Sequence, residues 1–460
     1  MKTAESGSQP PATGPGDLRV GGWIALFIGF LAIFILSPVR QISDASYSLL
    51  VSECVLRHGT VALDAYARPP LDPAVHPGSV GGERPYQLLT SGGHVYYAFP
   101  AGTSILSIPY VALSHVFGMS AVDEDGLYDF REERRMMFRL AALLMATLAL
   151  LTYRIASSSL NRGWSLAFTA AVALTTQVWS TASRGLWSHT WAILLVVIAI
   201  DHLIRHEING RKLRPVLLAS VLVFAYFTRP TMAIGVAATG VYLALRHRKV
   251  FLPYAATVAG WFAVFVLTSW VQYGQLLPPY YRPTRLGAPE FWTGLTGNLV
   301  SPSRGLLVFL PHIVVIGLWL VRYGRRSQHA PLALLGLTAA LGHLAVVASF
   351  PVWWGGHGYG PRLLTDAVPW LILPALAAFS GWRRSREKRA RHRLRDRVET
   401  AAAIGLTAAA LLINGGGALA PSTNEWNWKP VDVDLDHSRV WDWSDAQFLA
   451  PYHDRGEADR

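Results

Sequence analysis

The stretch "WIALFIGFLAIFILSPVRQISD", Trp23–Asp44, decides the fold class of this chain. Its first part, Trp23–Val39, contains no charged residue, and a run of roughly 20 apolar residues is the length at which an α-helix spans a bilayer. Asp44 is the first carboxylate after this run, so we predict that it lies at the edge of the membrane. Similar apolar blocks recur along the chain, for example Leu166–Ser183, Phe251–Tyr273 and Pro331–Phe350.

The composition is that of a membrane protein. Of the 460 residues, 52% are hydrophobic and 15% are charged, whereas soluble domains carry about 25% charged residues. We therefore predict an all-α polytopic membrane protein. The single cysteine, Cys54, excludes a disulfide within the chain and a cysteine-rich metal site.

The basic residues are arranged as topology signals. The formal net charge of +12 could indicate nucleic-acid binding, but Lys and Arg are grouped in short clusters between the apolar blocks. Such clusters mark loops on the cytoplasmic side. We therefore expect membrane lipids, and no nucleic acid, as partners. The main clusters are Arg205–Arg214, Arg246–Lys249, Arg322–Arg326 and Arg383–Arg397.

Counting the crossings between these clusters predicts about 11 transmembrane helices. Both ends of residues 40–136 then lie outside, so this stretch is predicted to be a long external loop. Its apolar segment, Ala98–Met119, is interrupted by Pro100 and Pro109 and is predicted to form juxtamembrane helices. The predicted order is a disordered cytoplasmic N-terminus at 1–20, a transmembrane module at 21–382, a basic cytoplasmic loop at 383–398, a last transmembrane helix at 399–414 and an external tail at 415–460. Alternating polarity in the tail suggests a short pair of strands.

With this predicted orientation, several ionisable residues lie on the outer face of the membrane. A carboxylate at the bilayer edge can deprotonate a hydroxyl group, and the guanidinium fork of arginine matches phosphate oxygens. The segments "SPSRG" (Ser301–Gly305) and "WWGGHGYGPRLL" (Trp353–Leu364) place arginines beside glycines, which allow a ligand to approach the backbone. The predicted base is Asp44, and the predicted substrate contacts are Glu53, Arg184, His189, Arg229, Arg304, His357, Tyr359 and Arg362.

Each of these residues also has a structural interpretation. Asp44 could cap the helix predicted after it, and Glu53 could belong to a solvated helix face. Arg304 could extend its charged end toward the membrane interface, and the tryptophans of Trp353–Leu364 could form an interfacial aromatic belt. The sequence leaves these alternatives open.

The order of an apolar helix, an early aspartate, a long external loop and many further crossings resembles the GT-C glycosyltransferase superfamily, in particular its protein O-mannosyltransferases and lipid A aminoarabinose transferases. The resemblance covers residues 20–380 in architecture and Asp44, in "SDASYSLL", at the level of a motif. It implies a polyprenyl-phosphate-linked sugar donor and a base in the first external loop, which is Asp44 here. The Asp-Glu pair of some members is absent, because Ala45 and Ser46 follow Asp44, so we assign no metal ligand and leave a divalent metal requirement open.

The leading hypothesis is a glycosyltransferase that moves a hexosyl or pentosyl group from a polyprenyl phosphate to a glycan, lipid or protein acceptor. It would act on the extracytoplasmic side of the plasma membrane, with Arg304 and Arg362 neutralising the leaving phosphate. A transporter or flippase of lipid-linked saccharides is the main alternative. A ligase or polymerase of surface polysaccharide is a third.

Overall fold

The structure of the protein is a computed structural model, which describes residues 18–41, 44–283, 286–287, 290–324, 327–387 and 394–452. Most of the predicted N-terminal segment 1–20 and part of the predicted basic loop 383–398 lie outside these ranges. The helices are α1 Val20–Leu36, α2 Ser48–His58, α3 Gly102–Val116, α4 Phe130–Ser157, α5 Arg162–Leu174, α6 Ser188–Glu207, α7 Pro215–Thr228, α8 Ala233–Arg246, α9 Arg248–Tyr273, α10 Phe291–Val300, α11 Leu306–Phe309, α12 Ile313–Tyr323, α13 Ala330–Ala348, α14 Val368–Glu387, α15 Leu394–Leu419 and α16 Ser422–Glu425.

Shorter elements connect these helices. A π-helix, Val178–Ala182, precedes α6. The 3₁₀ helices are Pro230–Met232, Pro279–Tyr281, Arg362–Ala367, His437–Trp441 and Gln447–Tyr452. In the described part of the chain, the sheet consists of two antiparallel strands, β1 Leu88–Ser91 and β2 His94–Tyr97, with Leu88 opposite Tyr97 and Ser91 opposite His94.

The helices confirm the predicted all-α, multi-span fold. Six described helical segments are long and apolar enough to cross a membrane, and three shorter ones are apolar as well. Only 6% of the most apolar window of α9 is buried inside the protein, and its Leu267 and Val271 are 63% and 76% exposed. Such a uniformly apolar, exposed helix is stable when lipid covers it. The number of about 11 spans is not confirmed by these helices and stays a prediction.

The centre of the bundle is formed by α4, α6 and the segment Arg362–Glu387, whose apolar windows are 67%, 72% and 83% buried. Helix α4 packs against α1, α5 and α6, whereas α14 packs against α12 and α13. Small and branched residues such as Ala146, Ile193 and Leu376 are fully buried at this centre. The buried centre therefore presents a rigid frame to the connections at each end.

The segment between α1 and α4 contains the helices α2 and α3 and has its own hydrophobic core. The apolar stretch Ala98–Met119 forms the single helix α3, with Pro109 inside it. Helix α2 packs against α3, and the β1–β2 hairpin lies between them in sequence. Residues from all of these parts share the core, including Leu50, Val51, Cys54, Val95 and Tyr128.

The carboxylate of Glu133 fixes this segment to α4. Glu133 is fully buried and accepts hydrogen bonds from the backbone N–H groups of Tyr47, Leu49 and Leu50, at 2.9 to 3.0 Å. A carboxylate at the N-terminus of a helix accepts hydrogen bonds from the unpaired N–H groups of the helix and is stabilised by the positive end of the helix dipole. Glu133 thereby holds the first turn of α2, and with it the backbone that leads from Asp44.

The C-terminal tail packs against the loop 351–361. Tail residues Trp426, Val433 and Val440 form one buried cluster with Trp353 of that loop. The expected strand pair is wrong for the described tail residues 420–452, which form α16 and two 3₁₀ helices instead. The helix predicted at 399–414 is longer than predicted and runs from Leu394 to Leu419.

We predict that Ala98–Met119 does not span the membrane. Helix α3 within it has 15 residues and is therefore about 22 Å long, shorter than the roughly 30 Å hydrocarbon core. Single cysteines at the exposed positions of Ala74→Cys and Asp125→Cys should react with an impermeant maleimide from the same side. Gly210→Cys, in the loop after α6, is the control for the opposite side. Labelling of 74 and 125 from opposite sides would contradict the assignment.

Candidate active site

Asp44 lies in a polar cluster at the end of the bundle where α1 ends. Its side chain is 32% exposed. Oδ1 accepts a hydrogen bond from the Tyr86 hydroxyl at 3.0 Å, and Oδ2 lies 3.4 Å from Nη1 of Arg362. Asp44 is therefore oriented by both neighbours and remains accessible to a ligand.

Arg362 is the cationic partner of Asp44. Its side chain is only 11% exposed, and its guanidinium lies over the ring of Trp187, with Cζ 4.4 Å from the ring centroid. Nε of Arg362 is buried and has no hydrogen-bond partner among the described residues. A buried N–H donor without a partner costs about 1–3 kcal/mol, so an anionic ligand that accepted this hydrogen bond would be stabilised.

The glycines of the loop 355–360 make room for Arg362. A Cβ at Gly358 would lie 2.7 Å from Cδ of Arg362. Gly360 has φ +58°, and a Cβ there would lie 2.5 Å from the ring of Phe309. Gly358 thus leaves room for the side chain of Arg362, and Gly360 leaves room for the ring of Phe309.

Asp366, one turn after Arg362 in the same 3₁₀ helix, is the centre of a buried network. The side chains of Asp366 and His189 are 0% and 2% exposed. Asp366 Oδ1 lies 2.7 Å from Nδ1 of His189, while Oδ2 accepts from the hydroxyl of Thr231 at 2.8 Å and from Nε of Arg229. The network joins the start of α6, the turn between α7 and α8, and the segment before α14.

The two clusters are adjacent. Arg229 donates to the hydroxyl of Ser188 at 3.1 Å, and Ser188 directly follows Trp187, on which Arg362 is stacked. Burial alone would lower the pKa of Arg229, but the nearby negative charges, mainly Asp366 with a contribution from Asp44, raise it. Arg229 therefore remains a cation beside the Asp44–Arg362 pair.

Aromatic side chains line the Asp44 side of the cluster. The hydroxyl of Tyr97 donates to the backbone carbonyl of Asp44 at 2.5 Å. Burial, with the negative charge of Asp44, raises the pKa of Tyr97 well above its ordinary value, so this donor keeps its proton. The ring of Phe99 packs on those of Tyr86, Tyr97 and Tyr280, with centroids 5.3 to 6.1 Å apart. These rings place apolar surface beside the carboxylate.

Arg304 has a different environment from the one we expected. It is 1% exposed, and burial, together with the positive charge of Arg362, lowers its pKa to about 9. Its N–H groups point inward. They donate to the carbonyl oxygens of Ser303, Trp354 and Gly356, at 2.8, 2.7 and 3.2 Å, and to the side-chain oxygens of Asn427 and Gln447, at 3.2 and 2.5 Å.

These contacts favour a structural role for Arg304, because they tie the C-terminal tail to the loop 351–361. The prediction that Arg304 binds a donor phosphate stays a prediction, and we leave its N–H groups out of the proposed site.

Glu53 and Arg184 lie apart from the Asp44–Arg362 pair. Glu53 is fully buried, and its oxygens contact Arg57, His115 and Ser120 at 2.5 to 3.2 Å, which fixes α2 to α3. Arg184 donates to the carbonyl oxygens of Phe34 and Ser37 and to the Ser183 hydroxyl.

His357 and Tyr359 also have other partners. His357 stacks on Trp428, with centroids 3.7 Å apart, and its Nε2 lies 2.7 Å from Oδ1 of Asp432. The Tyr359 hydroxyl donates to the carbonyl of Ile413 at 2.6 Å. Of the predicted residues, Asp44, Arg362, His189 and Arg229 are thus brought together. Arg304 lies close enough to Arg362 for their charges to interact, and the others have separate partners.

Two groups of described residues have the geometry to hold a metal ion, and neither includes Asp44. One consists of His357, Asp432 and Asp434, and the other of His206, Glu207 and His247; in each, the potential ligand atoms lie within 4.8 Å of one another.

Sequence reasoning missed Asp366 and the tyrosines around Asp44. A signal for Asp366 existed, because "RLLTDAVPW" places a single carboxylate at the start of an apolar span, and ionisable residues there are commonly functional. Tyr86 and Tyr97 had no such signal, since hydroxyl contacts across the hairpin depend on its tertiary position.

The fold and the site together define a multi-span helical membrane protein with an ionic cluster at one end of the bundle. No protein-family model matches the chain, and no curated protein does. Among solved structures, it is similar to ArnT from Cupriavidus metallidurans bound to undecaprenyl phosphate. The TM-score is 0.47 and the identity 14%, over 87% of this chain and 72% of the other.

The chain is also similar to the oligosaccharyltransferase from Archaeoglobus fulgidus, with a TM-score of 0.48 in two structures. The apo form is 11% identical over 96% of this chain. The form tethered through a disulfide to an acceptor peptide with the NVT sequon is 12% identical over 92%. This chain covers 62% and 59% of those chains, less than two thirds of their length. ArnT and this oligosaccharyltransferase are GT-C glycosyltransferases, but likenesses at this level do not decide function.

We predict that Arg304→Ala loosens the tail. Each buried acceptor that it leaves unpaired costs about 1–3 kcal/mol, so cleavage within 420–452 by a broad-specificity protease should become faster. The matched control is Arg282→Ala, which removes an exposed arginine and should leave the cleavage rate unchanged. A wild-type cleavage rate combined with weaker use of a lipid-phosphate donor would instead restore Arg304 to the predicted phosphate site.

Proposed function

We propose that this protein is a membrane glycosyltransferase that transfers a sugar from a polyprenyl-phosphate-linked donor to a hydroxyl-bearing acceptor on the extracytoplasmic side. The observation that supports it most directly is the pairing of an accessible carboxylate, Asp44, with a guanidinium whose Nε has no partner among the described residues, Arg362. Transfer from a phosphate needs a base for the acceptor hydroxyl and a cation for the leaving phosphate.

Asp44 would act as the general base. The acceptor hydroxyl gives its proton to the Asp44 carboxylate while its oxygen forms a bond to the anomeric carbon of the sugar. The bond between that carbon and the phosphate oxygen breaks, and the electron pair leaves with the polyprenyl phosphate. The Tyr86 hydroxyl at 3.0 Å from Oδ1 keeps the carboxylate in one orientation, which favours proton transfer.

Arg362 would stabilise the leaving phosphate. The charge on that phosphate grows as the sugar leaves, so a fixed cation stabilises the transition state more than the ground state. The fork of Arg362 offers Nε and Nη donors to two phosphate oxygens. The buried charge of Arg304 adds positive potential, because it interacts with the charge of Arg362.

Asp366 and His189 would be positioning residues. Both are almost completely buried, so their contacts are with the protein. Asp366 neutralises the buried charge of Arg229, and this ion pair fixes the 3₁₀ helix that begins with Arg362.

We predict that Asp44→Asn abolishes transfer and leaves folding intact. Asparagine keeps the shape of the side chain but accepts no proton, and loss of a general base costs about 10²–10⁴-fold in rate. Asp44→Glu should retain part of the activity, because it displaces the carboxylate by one methylene. The measurement is release of polyprenyl phosphate from a panel of polyprenyl-phosphate-linked hexoses and pentoses by the purified full-length protein.

Asp125→Asn is the matched control, since it neutralises an exposed carboxylate of the same segment between α1 and α4. Near-normal release by Asp44→Asn would rule out Asp44 as the base. Movement of intact lipid-linked saccharide across a vesicle membrane, without release of polyprenyl phosphate, would support the flippase instead.

Arg362→Ala should lower the rate of release by about 10²–10³-fold, the usual effect of removing one transition-state donor. Arg362→Lys should recover only part of this loss, because an ammonium group keeps the charge but lacks the bidentate fork. Initial rates over a range of donor concentrations separate a change in kcat from a change in KM. A normal kcat in both variants would show that Arg362 does not contact the leaving group.

A further inference from the structure

A cationic cavity lies between the end of α1 and the beginning of α4, near the end of the bundle that contains the Asp44–Arg362 pair. Its volume is about 320 Å³, and four of its lining residues are arginines. They come from distant parts of the chain and are Arg40, Arg135, Arg139 and Arg184. Neither Asp44 nor Arg362 lines this cavity.

The positive charge of the cavity is only partly compensated. Glu132 lies 2.6 Å from Arg135 and 3.7 Å from Arg139, and it is the one carboxylate among the described residues that pairs with any of the four arginines. Arg40 has its guanidinium 4.9 Å from the ring centroid of Phe138. A cavity with four guanidinium groups and one carboxylate attracts an anion.

Arg184 forms the floor of the cavity and is held in place. It is 2% exposed, and it donates to the Ser37 carbonyl at 2.7 Å and to the Ser183 hydroxyl at 3.0 Å. Burial, together with the charge of Arg40, lowers the pKa of Arg184 to about 9. The hydrogen bonds hold the guanidinium of Arg184 at the base of the cavity. The three other arginines are exposed at the rim.

One wall of the cavity is apolar. Phe34, Ile35 and Phe138 line it, and Ile35 is 51% exposed at the end of the apolar helix α1. The next residue, Leu36, is 79% exposed. Such side chains at the end of a span face the lipid, so the cavity joins a cationic floor to a lipid-facing surface.

We propose that this cavity binds the phosphodiester headgroup of an anionic membrane lipid, at a site separate from the Asp44–Arg362 pair. The three exposed arginines would contact the phosphate, and the charge of the buried Arg184 would attract it from the floor of the cavity. The exposed side chain of Ile35 would pack against the beginning of the acyl chains. A free phosphate ion could use the arginines but would gain nothing from the apolar wall, which is why the geometry points to a lipid.

The test is native mass spectrometry of the delipidated, full-length protein titrated with phosphatidylglycerol, with phosphatidylcholine as the zwitterionic comparison. The double variant Arg135→Gln and Arg139→Gln should bind phosphatidylglycerol on the order of twentyfold more weakly, since a basic side chain near an anionic membrane surface contributes about fivefold in affinity. Arg40→Gln should weaken binding about fivefold. It serves as the second variant should the double one fail to fold, because Arg40 is exposed.

The matched control is the double variant Arg131→Gln and Arg134→Gln. These two exposed arginines lie in the first two turns of α4 and do not line the cavity, so the control should bind phosphatidylglycerol as the wild type does. Arg362→Ala should also bind it normally, which separates this site from the proposed donor site. Equal weakening in the control would reveal diffuse surface attraction and overturn the proposal. Binding of inorganic phosphate with the same arginine dependence, and no preference for phosphatidylglycerol, would overturn it too.

Discussion

The fully buried carboxylate of Asp366 is the constraint on which the site depends. A charge inside an apolar bundle is tolerated only when it is paired and hydrogen-bonded, and removal of one partner of such a pair costs about 3–5 kcal/mol. Asp366 meets this requirement with donors from two parts of the chain, namely His189 at the start of α6, and Arg229 and Thr231 in the turn between α7 and α8. The ends of their helices must therefore stay together, and Arg362, one turn before Asp366, is held in a fixed position.

A second buried carboxylate holds the other half of the site. Glu133 of α4 binds the first turn of α2 through three backbone N–H groups, and the chain between α1 and α2 contains Asp44. The Asp44–Arg362 pair is thus assembled from two supports, each centred on a buried carboxylate. The Asp44–Arg362 contact of 3.4 Å joins these supports directly, so a ligand that binds beside this pair would meet groups that are already placed.

The sequence predicted the helical class and the presence of helices between α1 and α4, because apolar run length is a local property. It also predicted Asp44 and Arg362 for one site; the structure places them 3.4 Å apart, and their roles stay predictions. The sequence could not distinguish the roles of the arginines. Arg304 and Arg362 both follow turn residues beside a span, but Arg304 finds an acceptor in Gln447, 143 residues further on. Whether a guanidinium is occupied inside the protein is decided by such distant contacts. The separation of Glu53 from the site has the same cause, since His115 and Ser120 are its partners.

The arginines at this end of the bundle can therefore be ordered by where their N–H groups are directed. Arg304 donates its N–H groups to oxygen atoms inside the protein, so only the electrostatic effect of its charge extends to other groups. Arg229 is neutralised by Asp366 and supports the frame. Arg362 alone combines a buried position, an accessible carboxylate at its side and an Nε without an acceptor among the described residues. Since a buried donor without an acceptor is unfavourable, an anion bound at Arg362 would be stabilised by this hydrogen bond.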